Sequence, residues 1–442
     1  MDSRLRNLSV LSLTVLEGDK MGEFASIVNT WLANRRTRQT IRNIEKNNEL
    51  RKNITQYEPS DIEGFIERDS KVGSYIISGG LQSYRARTAA SVVACSLSQS
   101  VPVVVLHEGD MELENSIAVA TAFTNNKVII KCGTSVYDPF YNRTNQEICN
   151  LIMNSVRTHG EIGALGQLYI SGILDFIRSK NIAPYCEMLV RCPHDELIDK
   201  IDDAENLGHI TPQKATQIRS LIMQGQSERA NVQAFFSQLS HQAMGVLSSH
   251  GSRNNAVNIR TAVDHSGLLM IDIGSCTNDL LVNLLVNEVK DVLSNGKKLM
   301  LVIDGIAINS NLLLSNVVKS LSTRCLTCIL AEDVYSALGA DDNVFHSFVG
   351  NACKCVVYAH SVGLTCNKWS EVFGYYDVDK VSHNVSSNQN YQWGYGFGSQ
   401  NSISVSTNRE FIVKPEEINR MAVNEAYILD RNAQELAFTT IR

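Results

Sequence analysis

The sequence predicts an α/β fold in which a largely parallel central sheet is accompanied by an inserted all-α domain. Short segments that are apolar throughout, such as residues 101–106 and 299–303, alternate with helical patterns in both halves of the chain. Strands without polar alternation are typical of parallel sheets that helices cover on both faces. Between residues 145 and 250 the strand signals stop and helical spacing continues alone.

Length and composition limit the class of protein. The 442 residues exceed one ordinary core, which predicts a large domain with an insertion or a second domain. A net charge of −6 excludes a basic protein that binds nucleic acid with its whole surface. Eleven cysteines without a secreted pattern, and an N-terminus without a signal region, predict a cytoplasmic protein. No apolar run approaches the ~20 residues that span a bilayer, so we expect no transmembrane segment.

The first 144 residues are predicted to contain two parts. Residues 1–70 form a helical N-terminal region, whose basic cluster indicates either a solvated helix face or a nucleic-acid or membrane-surface patch. Residues 71–144 form the first part of the sheet domain. The basic cluster consists of Arg35, Arg36, Arg38, Arg42, Lys46, Arg51 and Lys52. The strands of the sheet domain are expected at residues 73–78, 101–106 and 127–131, with a helix at 87–97.

The all-α insertion is predicted at residues 145–250, and the sheet domain resumes over residues 251–442. Residues 382–407 are rich in Ser, Asn and Gly, and we expect a mobile loop there. The helices of the insertion are expected at residues 147–157, 165–179, 187–202, 212–224 and 232–247. Later strands are expected at 267–273, 299–303, 325–331, 353–359, 409–413 and finally 426–429.

A glycine turn lies where a phosphate-binding loop would begin. Such a loop follows a strand, opens a helix and has the form G-x-x-x-x-G-K-[ST], in which Lys reaches the phosphates and Ser or Thr holds Mg²⁺. Gly79 matches the first glycine, and Gly80 and the amides of the helix start offer donors to an anion. The aligned segment is Gly79, Gly80, Leu81, Gln82, Ser83, Tyr84, Arg85 and Ala86, so Tyr84, Arg85 and Ala86 replace Gly, Lys and Ser/Thr.

A second motif resembles the strand that positions Mg²⁺ in such enzymes. Residues 299–303 are apolar and end at Asp304, an acid at the carboxyl end of a strand. The glutamate that usually follows and polarises the attacking water is replaced by Gly305. By itself Asp304 could equally be an acid of a strand-end turn, and the glycine turn upstream favours the motif.

These residues together resemble the type IV secretion and conjugation coupling proteins, which are P-loop ATPases of the FtsK and HerA kind. The similarity is strongest from Lys298 to Asp304 and continues through Ser322-Thr323-Arg324 and a strand that ends at Glu332, where the family has a sensor Gln. The resemblance implies a RecA-like P-loop domain, a ring of identical or mixed subunits, and an all-α domain that recruits substrates. It assigns Asp304, Glu332 and Arg324 to the catalytic positions.

The departures from the family pattern predict a degenerate member. The loop lacks its Lys and its Ser/Thr, and the catalytic Glu and sensor Gln are absent, so ATP and Mg²⁺ binding are doubtful by sequence. No metal site is predicted, because the ten histidines lack ligand spacing and the cysteines near residues 325 and 353 fall inside core strands. Tyr391, Trp393, Tyr395 and Phe397 are expected to pack on their own loop rather than stack on bases.

Three functions stay open on the sequence. The first is a non-hydrolysing coupling-protein relative that recruits substrate or partner proteins of a secretion or conjugation system. The second is a DNA-stimulated motor that uses Arg85, Asp304 and Glu332, with Arg324 reaching a neighbour's site. The third is a nucleic-acid-binding module that uses the N-terminal basic cluster and the aromatic loop. A cytoplasmic location is expected for each, with recruitment to the inner face of the membrane as an option for the first.

Overall fold

The computed structural model of the chain contains two compact units. One comprises Met1–Ile54 and Phe373–Val413, and the other comprises Thr55–Val372 and Lys414–Arg442. The structure describes residues 18–67, 72–156, 162–243, 245–248, 255–275, 279–310, 314–315, 318–319, 325–388 and 398–442. Within these ranges, no helix combines the length and the apolar character needed to span a membrane.

Twelve strands are present in the described part of the chain, and ten of them form one sheet. Their bounds are β1 Ile54–Gln56, β2 Ser74–Ser78, β3 Val103–His107, β4 Lys127–Ile130, β5 Leu268–Asp272, β6 Met300–Asp304, β7 Leu326–Ala331, β8 Ala352–Tyr358, β9 Tyr375–Asn388, β10 Gly398–Phe411, β11 Glu425–Asp430 and β12 Glu435–Thr440. The sheet has the order β1-β12-β11-β8-β2-β7-β6-β3-β5-β4.

The seven neighbouring strands from β8 to β4 run parallel, and β11 and β12 add an antiparallel edge. β2, β3 and β6 are buried along their whole length, which is why their sequences are apolar throughout rather than alternating. The predicted fold class, a RecA-like α/β domain with a largely parallel sheet, is confirmed. β12 was not predicted.

The helices in chain order are as follows. They are α1 Gly18–Lys52, α2 Glu63–Ile66, α3 Gln82–Ser98, α4 Met111–Ala120, α5 Asn145–Val156, α6 Ala164–Ser179, α7 Cys186–Val190, α8 Leu197–Asn206, α9 Pro212–Gln224, α10 Arg229–Gln242, α11 Ile259–Asp264, α12 Asp279–Ser294, α13 Gly305–Ser310, α14 Val334–Ala337, α15 Asp342–Asn351, α16 Gly363–Phe373 and α17 Pro415–Asn419. The one helix predicted over residues 187–202 is two, α7 and α8. Pro193 lies between them, and its ring and missing N–H interrupt a helix.

The helices α5 to α10 follow one another without an intervening strand in the described residues, in the place where the all-α insertion is predicted. Their two ends meet at the sheet domain. The Tyr137 amide donates to the Val246 carbonyl, and the Ser248 amide donates to the Tyr137 carbonyl. Tyr137 forms backbone bridges with both Leu247 and Val257. The chain therefore leaves and re-enters the sheet domain at neighbouring points.

The smaller unit contains α1 and an antiparallel hairpin of β9 and β10. The expectation of a mobile loop over residues 382–407 was wrong for residues 382–388 and 398–407, which belong to these strands. Ile403, Val405 and Thr407 are β-branched and alternate with polar residues, a pattern typical of a strand, and here Val405 and Thr407 are exposed. The bias toward Ser and Asn hid this period of two. The aromatic segment 391–397 lies outside the described residues.

Candidate functional site

Three adjacent parallel strands, β2, β7 and β6, end at the same edge of the sheet. Gly79 and Gly80 follow β2, Glu332 follows β7, and Asp304 is the last residue of β6. The sequence-based expectation that the glycine turn and Asp304 share one sheet is met, with β7 between them. In open α/β sheets this carboxyl edge is where ligands bind, so it is the candidate site.

The glycine turn is packed tightly against the end of β8. Gly79 has φ +85° and Gly80 has φ +65°, conformations that residues with a Cβ rarely adopt. A Cβ atom on Gly80 would lie 2.7 Å from the Cβ of Tyr358. The Gly79 amide donates to the Ala331 carbonyl at 3.1 Å, and the Gly80 amide donates to the Ala359 carbonyl at 2.8 Å. Both amides are therefore engaged by the protein.

The segment aligned with the phosphate-binding motif is mostly helical. α3 begins at Gln82 with Leu81 as its N-cap, so Gln82, Ser83, Tyr84, Arg85 and Ala86 lie in the helix. A loop that wraps phosphates needs several residues between strand and helix. Here three residues, Gly79 to Leu81, separate β2 from α3. Gln82 and Ser83 are exposed in the first turn.

Two positions of the motif are committed to packing. The Tyr84 ring lies against the Tyr358 ring, with centroids 6.0 Å apart and planes tilted by 35°. Ala86 is completely buried and has no oxygen to offer a metal ion. The sequence predicted the loss of the Mg²⁺ ligand, and the burial of Ala86 explains why a small apolar residue occupies this position.

Arg85 turns back onto the glycine turn. Its Nη1 donates to the Gly79 carbonyl at 3.1 Å and also to the Gly80 carbonyl. Burial lowers the pKa of Arg85, and the negative charges of Glu332, Asp304 and Asp110 act in the opposite direction. The guanidinium is therefore held by two carbonyls and lies in the field of three carboxylates, which come from the ends of β7 and β6 and the start of α4.

Asp304 is 4% exposed, and its environment disfavours a charge. Its Oδ1 accepts from the Ile306 amide at 3.2 Å, and its Oδ2 has no hydrogen-bond partner in the described part of the chain. Burial, with a smaller contribution from Asp110, raises the pKa of Asp304 to about 6, although Arg85 attracts the carboxylate. The acid is therefore placed at the strand end as predicted, but it lies beneath the surface of the site.

The position after Asp304 has no room for a side chain. A Cβ atom on Gly305 would lie 2.3 Å from the Ala331 Cβ. A glutamate at this position would therefore require β6 and β7 to move apart. Glu332, by contrast, is exposed at the end of β7 and lines a cleft of about 460 Å³ with Gly80 and Gly305.

Sequence reasoning missed a group of side chains behind the glycine turn. Ser78 Oγ lies 3.1 Å from His360 Nε2 and accepts from the Val334 amide. Burial lowers the pKa of His360 to about 4, so the ring is neutral near pH 7. Asp333 Oδ2 accepts from Ser336 and Thr365. Ser78, Asp333 and His360 each end a parallel strand or follow one closely, and that position was the available signal.

Two further features of the sequence remain, the predicted catalytic Arg324 and the cysteines that were considered as metal ligands. Arg324 lies outside the described residues. Cys328 and Cys355 are completely buried, and burial raises the pKa of Cys355 to about 12. No cluster of His, Cys, Asp or Glu that could hold a metal ion occurs among the described residues. The residues of the turn also fit ATP and Mg²⁺ poorly, because Arg85 occupies the turn and Ala86 lacks an oxygen.

Comparison with known proteins gives matches in structure. No protein-family model and no curated protein matches the sequence. Plasmid coupling protein TrwB, in complex with the non-hydrolysable ATP analogue ADPNP, matches with a TM-score of 0.50 and 12% identity over 86% of this chain and 92% of that one. The unbound bacterial conjugative coupling protein TrwB matches with a TM-score of 0.49 and 12% identity, over 86% of this chain and 91% of that one. VirB4 of Thermoanaerobacter pseudethanolicus matches with a TM-score of 0.35 and 10% identity, over 70% of this chain and 83% of that one. The first of these likenesses shows the fold.

Proposed function

We propose that this chain is a coupling-protein-like subunit of a conjugation or type IV secretion system that recruits substrate or partner proteins and does not hydrolyse ATP. The fold shared with plasmid coupling protein TrwB supports the first part of the proposal. The observation that carries the second part is Arg85. Its guanidinium binds the carbonyls of Gly79 and Gly80, so the protein's own cation fills the turn.

Electrostatics also opposes a nucleotide at this edge. A triphosphate carries several negative charges, and working sites compensate them with a Lys, a metal ion and free amides. Here the negative charges of Asp304, Glu332 and Asp110 already act on Arg85. The amides of Gly79 and Gly80 already bind carbonyls. An added anion would meet repulsion without compensation.

Recruitment is proposed for the helices α6 to α10 because they present exposed apolar side chains. Leu207 is 70% exposed, Met223 is 66% exposed and Leu165 is 47% exposed. Apolar side chains of this kind are suited to bind other proteins when they cluster. The proposed partners are other protein components of the transfer system, further subunits in a homo- or hetero-oligomeric ring, and the transferred DNA. The proposed location is the cytoplasm, with recruitment to the inner face of the membrane.

Calorimetric titration of the purified full chain with ATP and Mg²⁺ tests the proposal directly. We expect no binding heat, no nucleotide released from the denatured protein and no turnover of radiolabelled ATP. Plasmid coupling protein TrwB, titrated with ADPNP in parallel, serves as the positive control. Motor-like turnover, or binding at micromolar nucleotide, would refute the non-hydrolysing assignment.

A DNA-stimulated ATPase with a non-standard nucleotide site is the second candidate. The observation in its favour is the convergence of Arg85, Asp304 and Glu332 at one sheet edge. Turnover measured with added single-stranded DNA separates the two candidates. The second predicts that Asp304→Asn abolishes DNA-stimulated turnover, while Glu196→Gln, at an exposed acid 66% accessible in its side chain, leaves it unchanged.

A further inference from the structure

One face of α1 is exposed between Val28 and Lys46, in the part of the helix whose side chains are described. Thr37, Ile41, Ile44 and Asn48 are half-buried and recur every three or four residues, so they form a single stripe. This stripe faces the hairpin, because Asn48 Nδ2 donates to the Asp379 carbonyl and the Asp379 amide donates back to Asn48 Oδ1. The residues half a turn away from the stripe are solvent-exposed.

The exposed face begins apolar and becomes basic. Val28, Trp31 and Leu32 are 37%, 54% and 40% exposed, and they have the i, i+3, i+4 spacing of helix anchors. The same face continues with the exposed side chains of Arg35, Arg42 and Lys46, which follow at about 3.6-residue multiples. The Arg35 guanidinium lies over the Trp31 ring, 5.5 Å from its centroid.

A groove between α3 and α4 has the opposite arrangement. It encloses about 670 Å³, and small side chains of α3 form its floor, including Ala90 and Ala94. Val119, on α4, and Phe123, just beyond it, are 78% and 60% exposed at its wall. Small residues on one helix allow a third helix to approach closely. The groove therefore offers an apolar surface between two helices.

The rim of this groove is acidic. Glu63, Glu67 and Glu112 line it together with Arg87. Arg87 is already engaged, since its Nε donates to Glu63 at 3.3 Å and its Nη2 to Asp61 at 3.3 Å. Glu67 and Glu112 are exposed. A helix that presents an apolar anchor and a basic continuation would match the groove in both polarity and charge.

We propose that the exposed face of α1 from one copy of this chain docks in the α3–α4 groove of a second copy. Trp31, Leu32 and Val28 cover the apolar surface of the groove, and Arg35 and Arg42 meet the acidic rim. Pairing α1 with α1 in parallel would instead place basic residues against basic residues, at a cost in repulsion. A contact of a helix with a groove is heterologous, so repetition builds a ring or a filament.

Two variants that each destroy one surface test this contact. Trp31→Glu removes the helix anchor, and Phe123→Glu places a charge in the groove. Both positions are exposed, so the fold is expected to persist, which circular dichroism verifies. In analytical ultracentrifugation the wild type should gain mass over about a hundredfold concentration range, and each variant should associate at least about tenfold more weakly.

The mixture of the two variants is the decisive measurement. It contains one intact groove and one intact helix face, so it should form dimers and stop there. Leu364→Glu, at an apolar position that is 56% exposed and belongs to neither surface, is the matched control and should associate like the wild type. A charge exchange adds a second arm: Arg35→Glu with Arg42→Glu should weaken association, and mixing with a Glu67→Lys, Glu112→Lys chain should restore it.

Three results would overturn the proposal. The first is a wild type that remains monomeric throughout the concentration range. The second is a mixture of the two variants that fails to form dimers. In the third result, Trp31→Glu would leave the mass unchanged while weakening sedimentation with phosphatidylglycerol vesicles or with duplex DNA, which identifies a lipid surface or nucleic acid as the occupant. The nucleotide titration is independent of these outcomes, so the non-hydrolysing assignment and the proposed helix–groove contact are tested separately.

Discussion

Gly305 lies against Ala331, and a Cβ atom added to Gly305 would come within 2.3 Å of the Ala331 Cβ. This contact joins the end of β6 to the end of β7 at the position where an active motor carries its catalytic acid. The Leu330 carbonyl lies 3.0 Å from the same added atom. The backbone around Gly305 therefore leaves no room for a side chain at this position.

Restoring the acid should damage the fold without creating activity. Gly305→Glu should lower the free energy of unfolding by about 1–3 kcal/mol, the usual cost of overpacking, and ATP turnover should stay absent. Urea titration provides the measurement. Gly350→Ala, in open space within α15, should be neutral or slightly stabilising. An unchanged urea midpoint for Gly305→Glu would show that β6 and β7 separate freely.

Gly80 and Gly109 both have φ +65°, so a comparison of the two separates the cost of a steric contact from the cost of the left-handed backbone conformation. Gly109→Ala, where nothing lies within 4 Å of the added Cβ, should cost about 1–2 kcal/mol for the left-handed conformation alone. Gly80→Ala adds a contact at 2.7 Å with the Tyr358 Cβ and should cost about 1–3 kcal/mol more. Thermal and urea unfolding of the two variants gives the difference. Equal losses would mean that Tyr358 yields.

Asp304 should make stability depend on pH in a defined direction. Its pKa is raised from 3.8 to about 6, chiefly by burial, so the folded state holds this proton more tightly than the unfolded chain. Its contribution to stability is greatest below about pH 4 and falls as the pH rises to about 6. Asp304→Asn should therefore be more stable than wild type at neutral pH, by about 1–3 kcal/mol.

Unfolding of both chains across the acid range checks this sign. The difference between Asp304→Asn and wild type should shrink toward zero as the pH falls below the ordinary pKa of aspartate. A variant that is less stable than wild type at neutral pH would mean that the carboxylate is ionised and stabilising. That result would favour the second candidate function, in which the acid does chemistry.

Buried ion pairs stabilise the segment that precedes α5. Arg143, 4% exposed, donates to Glu288 at 2.9 Å and to Asp291 at 2.6 Å, and Tyr137 donates to Glu288 at 2.8 Å. Arg143→Met should cost about 3–5 kcal/mol because it leaves Glu288 buried without its cation. Adding Glu288→Gln should recover part of the loss. A double variant no more stable than Arg143→Met would contradict this account.

The parallel sheet could be predicted because its strands are short, apolar runs. β3 and β6 are buried on both faces, so their sequences needed no alternation to be recognised. The hairpin of β9 and β10 was missed because Ser and Asn dominate it and its β-branched residues are sparse. β12 was missed because Glu435–Thr440 mixes polar and apolar residues, although the strand lies inside the sheet between β1 and β11.

The sequence predicted where in the sheet the candidate site lies, but it did not predict which side chains contact one another there. A strand-end acid and a glycine turn are local signals, and both fall at the carboxyl edge. The role of Arg85 depends on where α3 begins, and the residues from Gln82 to Ala86 are compatible with either a loop or a helix. Asp110 joins the site through the order of β3 beside β6, which the chain sequence does not state.

Tyr137 forms backbone bridges with Leu247 and Val257, so the helical segment between residues 138 and 246 begins and ends at the same place. A segment whose two ends lie side by side imposes little tension on the sheet, so its length and content are free to vary.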